Sequence, residues 1–328
     1  MTANKNVPKV SIILPAYNTV RYLSESIDSV LRQSFTDFEL IIINDGSTDG
    51  TQKIIDDYAA RDERIISLKQ KNQGLVATLN KAVKMARGMY IARIDGDDPW
   101  MDDKLSAQVD SLDKNIDVSL IGGGFEIIDE NGFFIETIHA LTRDEDIRRA
   151  MMLRNPFGHA VVMFRKDAFD KVGGYSNSHG PTEDFELWIR LATVGRLANL
   201  PKPVYRYRIV DNGISQSNST LQMKHTNIHI ASLWEDHTPR LLTRNEIRKQ
   251  ANRYLHIHTR KSYAIGMKEQ FLSDNAQIGI KLIRHGHFIK GFLQLCYVAS
   301  IGRSGLRAVK KRFLLLDRGS IKQLSRSR

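Results

Sequence analysis

Short apolar runs alternate with amphipathic segments through roughly the first hundred residues of the chain. The runs at 10–14, 40–43, 65–68 and 89–94 have the length of strands, and apolar residues recur at helical spacing between them. Parallel strands need a crossover connection, which is usually a helix, so this alternation is typical of a mostly parallel sheet. The sequence therefore predicts an α/β fold whose first half consists of consecutive strand-helix-strand units.

Beyond the fourth predicted strand, the pattern becomes mixed. Asn131-Gly132 lies between two extended segments, 119–128 and 133–138, and is a typical hairpin turn. The further predicted elements are a strand at 160–164, a helix at 183–193 and a strand at 204–209. From about residue 221 onward, helical periodicity replaces the mixed pattern. We therefore expect three regions, namely an α/β domain at 1–215, a helical region at 216–302 and a basic C-terminal tail at 303–328.

Positive charge is concentrated at the end of the chain. The 328 residues include 48 Lys and Arg and 37 Asp and Glu, for a formal net charge of +11. Residues 281–328 hold 12 of the basic residues and one acid, Asp317, so this segment alone accounts for the excess. Leu306, Val309 and Phe313 share one arc of a helix, which predicts an amphipathic segment that lies on an anionic membrane surface. A solvated tail is the alternative. Nucleic acid is not an expected partner, because Phe313 is the sole aromatic residue of the tail at 303–328.

The remaining features of the sequence indicate a cytoplasmic protein. No apolar run reaches the roughly 18 to 20 residues with which a helix crosses a bilayer. The single cysteine, Cys296, cannot form an intramolecular disulfide, and residues 1–9 lack the charged-then-apolar pattern of a secretion signal. We therefore expect a cytoplasmic location, peripheral at the inner face of the cell membrane.

Polar residues follow the predicted parallel strands at the points where the strands end. Because the carboxyl ends of parallel strands meet at one edge of a sheet, where ligands bind, these residues should form one site. Neither a glycine-rich dinucleotide-binding motif nor a P-loop follows any of these strands, which argues against both kinds of nucleotide site. The predicted site residues are Pro15, Ala16 and Tyr17 after the first strand, Asp45 after the second, Asn72 after the third, and Arg93, Asp95, Gly96 and Asp97 at the end of the fourth.

Asp95 and Asp97 are spaced so that both carboxylates project from one turn. One carboxylate can then contact a ribose hydroxyl while the other holds a divalent cation. Hard cations such as Mn²⁺ and Mg²⁺ favour one or two carboxylates completed by phosphate oxygens and water, so a diphosphate ligand would suit this turn. The alternative is a solvated acidic turn that caps the next helix.

Five segments of the sequence resemble the inverting glycosyltransferases of family 2, which have the GT-A fold, a mostly parallel, Rossmann-like nucleotide-binding sheet. They occur in the family's order within about the first 210 residues. One departure follows the Asn72-Gln73-Gly74 turn, where the family's Arg-Asn pair is Leu79-Asn80, and whether Arg93 replaces that arginine is open. The segments are VSIILPAYN (10–18), ELIIINDGSTDGT (39–51), NQGLVATLNKAVKMARGMYIARIDGDD (72–98), NPFGHAVVMFRK (155–166) and EDFELWIRL (183–191).

The resemblance implies a donor site for a nucleotide sugar. Residues 15–17 would border the nucleobase, and Asp45 would accept a hydrogen bond from a base N–H, which fits uracil. Asp95 would contact the ribose. Asp97, with Asp95 beside it, would hold the Mn²⁺ or Mg²⁺ that bridges the diphosphate. The implied donor site also includes Asn72, Arg93 and Gly96.

The resemblance also implies a catalytic base at the start of the predicted helix 183–193. Inverting transfer needs a carboxylate on the face of the sugar opposite the diphosphate, where it takes the proton of the acceptor hydroxyl. Asp184 is the expected base, and Glu183 is expected to orient it or to bind the acceptor. The alternative for this pair is an acidic first turn stabilised by the helix dipole, with Thr182 as its cap. His159 is expected near the acceptor side, either as a structural residue or as a contact to a phosphate or hydroxyl.

Together these features predict a metal-dependent, inverting glycosyltransferase. We expect it to move a sugar from a nucleotide donor, a UDP-sugar, to a hydroxyl of a saccharide acceptor. That acceptor would be carried on a polyprenyl diphosphate, in the synthesis of bacterial exopolysaccharide, O-antigen or capsule. The alternatives are a sugar nucleotidyltransferase and a non-catalytic scaffold that keeps the fold and acts through its helical tail. The sequence leaves the donor sugar, the acceptor, the linkage and the oligomeric state open.

Overall fold

The structure is a computed structural model, and it describes residues 7–151, 154–176 and 182–210. These residues lie within the first of two units into which the chain divides, Met1–Thr226. The predicted helical region at 216–302 and the predicted basic tail at 303–328 lie outside the described residues, as does the boundary at residue 215. All three stay predictions.

The described residues form a mixed sheet of eight strands with helices between them. The strands are β1 (Val10–Ala16), β2 (Phe38–Asp45), β3 (Ile65–Gln70), β4 (Tyr90–Arg93), β5 (Val118–Ile128), β6 (Phe134–Ile138), β7 (Met163–Arg165) and β8 (Arg196–Arg208). The helices are α1 (Leu23–Leu31), α2 (Thr51–Ala59), α3 (Leu75–Met85), α4 (Lys104–Lys114), α5 (Asp144–Met151), α6 (Lys166–Lys171) and α7 (Glu183–Val194), with a 3₁₀ turn at His159–Val161.

The first half of the sheet is parallel and follows the predicted units closely. Its strand order is β3-β2-β1-β4, with Val10 opposite both Phe38 and Tyr90, and with Leu40 opposite Ile65. Every residue of β2 is buried, and β1 is buried except for partly covered Pro15, which explains why both strands are continuous apolar runs. The predicted α/β fold with mostly parallel strands is confirmed.

The second half of the sheet is held together by pairings between distant segments. Strand β7 lies antiparallel between β4 and β5, with Tyr90 opposite Arg165 and Leu120 opposite Phe164. Strand β8 returns parallel to β5, and the predicted hairpin of β5 and β6 is confirmed. The carboxyl ends of β4, β5 and β8 and the amino end of β7 therefore share one edge of the sheet. Arg165 lies at the opposite edge.

Several details of the sequence prediction were wrong. The segment predicted as a strand at 160–164 begins as the 3₁₀ turn, with β7 starting only at Met163, and β8 starts at Arg196 instead of 204. The first half of β8 contains Pro201 and Pro203 and pairs with β5 through register shifts opposite Gly123 and Gly124. Its sequence therefore lacks the pattern of a regular strand. The helices α4, α5 and α6 were not predicted.

Helix α4 escaped prediction because its buried face is partly polar. Leu105, Val109 and Leu112 are buried at helical spacing, but fully buried Lys104 and Gln108 share that face. The Lys104 ammonium lies 3.9 Å from the centre of the Trp100 ring and donates to Gln108 Oε1 at 2.8 Å. These contacts offset the cost of burying the polar groups, which a reading of apolar periodicity does not detect.

Candidate active site

The turn after β4 carries the two acids of the predicted donor site. Arg93, at the end of β4, is buried and donates from Nη1 to Asp95 Oδ2 at 2.6 Å and from Nη2 to Asp95 Oδ1 at 2.5 Å. Two parallel hydrogen bonds of this kind hold a guanidinium and a carboxylate in one relative orientation. Burial alone would lower the pKa of Arg93, but the charge and hydrogen bonds of Asp95 raise it above its ordinary value.

Asp97 differs from Asp95 because its carboxylate interacts with its own backbone N–H and with no described side-chain donor. The side chain is partly buried, and burial together with the charge of Asp95 raises its pKa to about 6. The next residue, Asp98, is buried, and its pKa is raised by burial and then by Asp97. A carboxylate that has no side-chain donor and is costly to ionise is one that a bound cation would stabilise.

Arg208 is a residue of this region that the sequence interpretation missed. It is buried at the end of β8, and its backbone N–H donates to Asp98 Oδ1 at 2.8 Å. Its Nε donates to the backbone carbonyl of Asp97 at 2.9 Å. Because β8 is parallel to β5, its carboxyl end lies at the same edge as that of β4. The rule that placed Asp95 and Asp97 in the site would therefore have found Arg208 from the predicted strand at 204–209.

Asp45, predicted to contact the nucleobase, binds the loop after β3. Its buried carboxylate accepts hydrogen bonds from the Gln70 side chain at 2.8 Å and from the backbone N–H groups of Gln73 and Gly74 at 2.8 and 2.9 Å. Two carboxylate oxygens offer about four lone pairs, so roughly one position remains for a base N–H. Asn72 of the same loop is exposed.

The segment after β1 presents one exposed aromatic ring at this edge of the sheet. Ala16 is buried and Pro15 is partly buried, whereas Tyr17 is 51% exposed. Gly96 packs closely against the same loop, since a Cβ at position 96 would lie 3.0 Å from the Thr19 side chain. The loop after β1 and the turn after β4 are therefore neighbours, as the sequence predicted.

Glu183 and Asp184 open α7, near enough to Arg93 for its charge to act on both. Burial and then the neighbouring Asp184 raise the pKa of Glu183 to about 7. Burial also raises the pKa of Asp184, but hydrogen bonds from the Phe185 backbone N–H at 2.6 Å and from Asn155 Nδ2 at 2.9 Å oppose this effect. Thr182 is the N-cap residue of α7, but its side chain makes no cap hydrogen bond. The alternative in which the Thr182 side chain caps an acidic first turn is therefore wrong on this point.

His159 belongs to a small buried network beside Glu183. Its Nε2 lies 2.9 Å from the Tyr175 hydroxyl, and its Nδ1 lies 3.7 Å from Glu183 Oε1. Burial, and then the charge of Arg93, lower the pKa of His159 well below its usual range, so the ring is neutral and the Glu183 contact is not an ion pair. The Asn80 side chain holds the backbone of Tyr175 in place. It accepts a hydrogen bond from the Tyr175 N–H at 3.0 Å and donates one to the Tyr175 carbonyl at 2.9 Å. The sequence interpretation did not single out Tyr175 or this role of Asn80.

Arg93 connects the two acidic pairs electrostatically. Its charge acts on Asp95 and Glu183, and also on Asp184. Asp95 in turn adds to the effect of burial on the pKa values of both Asp97 and Glu183. The acids at the end of β4 and those at the start of α7 therefore lie near enough for their charges to interact.

Of the two acids predicted to hold a metal, Asp97 fits a cation better. Both oxygens of Asp95 are engaged by Arg93, whereas the Asp97 carboxylate has no side-chain donor among the described residues. Within those residues, no group of three or more His, Cys, Asp or Glu could hold a metal ion by itself. Mn²⁺ and Mg²⁺ sites that use one or two carboxylates and substrate phosphates do not need such a group.

Comparison with known proteins gives the family. The family described as Glycosyl transferase family 2 matches residues 11–173. The chain is 38% identical over 206 residues to the glycosyltransferase EpsE of Bacillus subtilis (strain 168), covering 61% of this chain and 73% of EpsE. The chain belongs to glycosyltransferase family 2. This family 2 chain is also 32% identical over 212 residues to the O-antigen biosynthesis glycosyltransferase WbnJ of Escherichia coli, covering 63% of this chain and 82% of WbnJ.

Solved structures share the fold of this family 2 glycosyltransferase. S. aureus TarS (residues 1–349) in complex with UDP-GlcNAc aligns with a TM-score of 0.57 at 16% identity, over 92% of this chain and 84% of that one. The mannosyltransferase PcManGT of Pyrobaculum calidifontis, in complex with GDP-Man and Mn²⁺, aligns with a TM-score of 0.57 at 18% identity, over 90% and 86%. The expected GT-A fold is confirmed.

The family assignment confirms the resemblance seen in the five sequence segments. It favours the glycosyltransferase prediction over the nucleotidyltransferase alternative. Among the residues that the structure describes, no helix combines the length and apolar character needed to cross a membrane.

Proposed function

We propose that this chain transfers a sugar from a nucleotide donor, a UDP-sugar, to a hydroxyl of a saccharide acceptor with inversion at the anomeric carbon. The observation that carries the proposal is that Arg93, which is hydrogen-bonded to Asp95, acts through its charge on both acidic pairs. Asp95 and Asp97 suit a nucleotide diphosphate, and Glu183 and Asp184 suit an incoming alcohol. Inverting transfer requires these two functions on opposite faces of one sugar.

On the donor side, the residues of the chain bind and orient the nucleotide sugar. Tyr17 offers an exposed ring to the nucleobase, and Asp45 keeps a remaining lone pair for a base N–H. Asp95, fixed by Arg93, would bind the ribose. Asp97 would hold Mn²⁺ or Mg²⁺, which when bound would neutralise the charge that develops on the leaving diphosphate.

On the acceptor side, Asp184 would take the proton from the attacking hydroxyl. A general base must be ionised and must be reachable by the substrate. Asp184 is partly exposed and its anion accepts two hydrogen bonds, whereas Glu183 is buried and has a pKa of about 7. We therefore assign Asp184 as the base and Glu183 as the residue that orients it.

The substrate classes are proposed partly by analogy with similar proteins. TarS has been solved with UDP-GlcNAc, and PcManGT with GDP-Man and Mn²⁺. WbnJ is named for O-antigen biosynthesis. We extend these properties to this chain as a nucleotide-sugar donor, a divalent cation and a role in bacterial surface polysaccharide synthesis. The acceptor, a saccharide linked to polyprenyl diphosphate, is proposed from the family resemblance of the sequence.

Release of the nucleoside diphosphate from a panel of UDP-sugars and GDP-sugars, with a polyprenyl-diphosphate-linked saccharide as acceptor, tests this proposal. We expect UDP release that EDTA abolishes, and a product whose anomeric configuration is opposite to that of the donor by NMR. Asp184→Asn should lower turnover by about 10²- to 10⁴-fold, because general-base assistance is lost, while binding of UDP with Mn²⁺ persists. Asp97→Asn should lose both turnover and the binding of UDP with Mn²⁺.

A surface acid provides the control for these two variants. Asp110 forms an exposed ion pair with Lys114 on α4, so Asp110→Asn removes a carboxylate without touching the site and should leave turnover unchanged. Normal turnover of Asp97→Asn would remove Asp97 from the metal site. A wild-type chain that releases no nucleoside diphosphate from any donor would favour the scaffold alternative.

We also propose that the basic tail holds the enzyme at the inner face of the cell membrane. The support is the concentration of charge in residues 281–328, where each cation near an anionic leaflet contributes on the order of 1 kcal/mol. Deleting residues 303–328 should move the protein from the membrane fraction to the soluble fraction. Unchanged partitioning of the shortened chain would contradict this proposal and leave the tail as a solvated extension.

A further inference from the structure

Arg208 binds the acidic turn after β4 through both its side chain and its backbone. The side chain is 2% exposed. Its Nε donates to the backbone carbonyl of Asp97 at 2.9 Å, and its backbone N–H donates to Asp98 Oδ1 at 2.8 Å. The peptide on the carboxyl side of Asp97 is therefore held from two directions. Fixing that peptide fixes the direction in which the Asp97 side chain leaves the backbone.

The guanidinium of Arg208 is itself fixed by the segments around it. Nη2 donates to Glu25 Oε2 at 2.5 Å, and Cζ lies 4.5 Å from the centre of the Tyr22 ring, so the guanidinium stacks on that ring. Nη1 donates to the carbonyl oxygens of Asp129 and Glu130, at 3.4 and 3.3 Å, in the hairpin turn between β5 and β6. Each of the three guanidinium nitrogens thus has an acceptor, and together these hydrogen bonds hold the group in a single orientation.

The acidic turn has few other polar supports near Asp97. Gly96 has no side chain, and the neighbouring Thr19 Oγ1 is buried with no hydrogen-bond partner among the described residues. The loop after β1 therefore packs against the turn at this point without a hydrogen bond from that hydroxyl. Arg93 fixes Asp95, but it makes no hydrogen bond to Asp97.

We infer that Arg208 is a positioning residue for the donor site, because it directs the Asp97 carboxylate toward the cation and the diphosphate. This inference rests on the proposed function, in which Asp97 holds the metal. Arg208 does not touch the substrate in this role. Groups that orient a metal-binding carboxylate typically change metal affinity by about 10- to 100-fold when they are removed.

The test compares Mn²⁺ binding with nucleoside binding in the full-length Arg208→Gln variant. Free Mn²⁺ is measured by electron paramagnetic resonance in the presence of UDP, and uridine binding is measured by NMR. We expect the Kd for Mn²⁺ with UDP to rise about 10- to 100-fold while the uridine affinity is unchanged, because uridine has no diphosphate.

Arg206→Gln is the matched control, because it removes the same charge two residues earlier on β8. The Arg206 side chain is half exposed and pairs with Glu126 at 3.2 Å, not with an acid of the turn. Both affinities should stay at their wild-type values in this variant.

Several outcomes would overturn the inference. A folded Arg208→Gln chain that binds Mn²⁺ as the wild type does would do so, and so would an equal loss of Mn²⁺ and uridine affinity, which marks general damage. If circular dichroism shows that Arg208→Gln does not fold, Glu25→Gln replaces it, since this half-exposed change releases one end of the guanidinium. Unchanged Mn²⁺ affinity in Glu25→Gln would then contradict the inference. A wild-type chain that does not bind Mn²⁺ with UDP would contradict the proposed function first, and the inference with it.

Discussion

The two halves of the sheet place their acids in different ways. In β3-β2-β1-β4, each strand pairs with a strand one helix away or with β1, so the ends of the strands are set by consecutive units. In the other half, Tyr90 pairs with Arg165 and Val118 pairs with Arg196, across long stretches of chain. The donor acids therefore depend on local units, and the acceptor acids depend on the closure of the whole domain.

The halves also differ in how their carboxylates are stabilised. On the donor side, Asp45 accepts three hydrogen bonds and Asp95 faces a guanidinium. On the acceptor side, Glu183 is buried next to Asp184 and titrates at about 7. The charge of buried Arg93 acts on acids of both halves. This comparison predicts that changes at Arg93 affect both halves, whereas changes at other residues affect one.

Replacing Arg93 should have the largest effect. Arg93→Met removes the cation whose charge acts on both acidic pairs and leaves Asp95 without its two donors. We expect turnover to fall by at least about 10²-fold, because charge stabilisation in the site is lost. The free energy of unfolding should fall by about 2–3 kcal/mol in urea denaturation, because a buried ion pair has lost one partner.

Arg87→Met is the control for Arg93→Met. Arg87 pairs with buried Glu39 at 2.7 Å, at the amino end of the same strands. This variant should also lose stability but keep its turnover and its affinity for UDP with Mn²⁺. If Arg93→Met weakened donor binding alone and kept full turnover at saturating donor, the two halves of the site would be independent of each other.

The same difference between the halves explains how much the sequence could predict. The donor acids follow strands that are visible as apolar runs, so the carboxyl-end rule placed Asp45, Asp95 and Asp97 at one edge. It did not predict that Asp45 binds the loop after β3, because that contact depends on the loop conformation.

The acceptor half was less predictable, for physical reasons. Its strands are short or interrupted by proline, and their partners lie far away in the chain, so local patterns do not specify them. The pair Glu183-Asp184 came from family resemblance. Tyr175 acts through a single hydrogen bond to His159 in another segment, which no periodicity predicts. Arg208, by contrast, lies at the end of a predicted strand, where the carboxyl-end rule would have found it.

A smaller effect concerns the pH dependence of stability in the two halves. Asp97 has a folded pKa of about 6, above the usual value of an unfolded aspartate near 3.9. The stabilising contribution of its protonated form is full below about pH 4 and is lost as pH rises through about 6. Asp97→Asn should therefore melt at a higher temperature than the wild type at pH 8 in EDTA, and this difference should vanish toward pH 4. Glu183 has a folded pKa of about 7, so the stabilising contribution of its protonated form should be lost as pH rises through about 7. Glu183→Gln should therefore also melt above the wild type at pH 8.

Asp113→Asn provides a control of opposite sign for these melting curves. Lys9 and Tyr90 hydrogen-bond the Asp113 carboxylate, and the Lys9 bond is the largest cause of its lowered pKa. Its stabilising contribution is present above the unfolded pKa and is lost in acid. This variant should melt below the wild type at pH 8. Equal melting temperatures of Asp97→Asn and wild type from pH 4 to pH 8 would contradict the raised pKa of Asp97.

The smallest effect should follow from removing one hydroxyl in the acceptor half. Tyr175→Phe deletes the hydrogen bond to His159 Nε2 and so loosens the ring that lies against Glu183. One hydrogen bond contributes about 0.5–1.5 kcal/mol, so kcat should fall about 2- to 12-fold, while the affinity for UDP with Mn²⁺ stays unchanged. Tyr90→Phe removes an equally buried hydroxyl, which bonds Asp113 at the far edge of the sheet, and should leave kcat unaffected. If Tyr175→Phe instead weakened donor binding at constant kcat, the His159 network would belong to the donor half, and the division of the site at Arg93 would have to be redrawn.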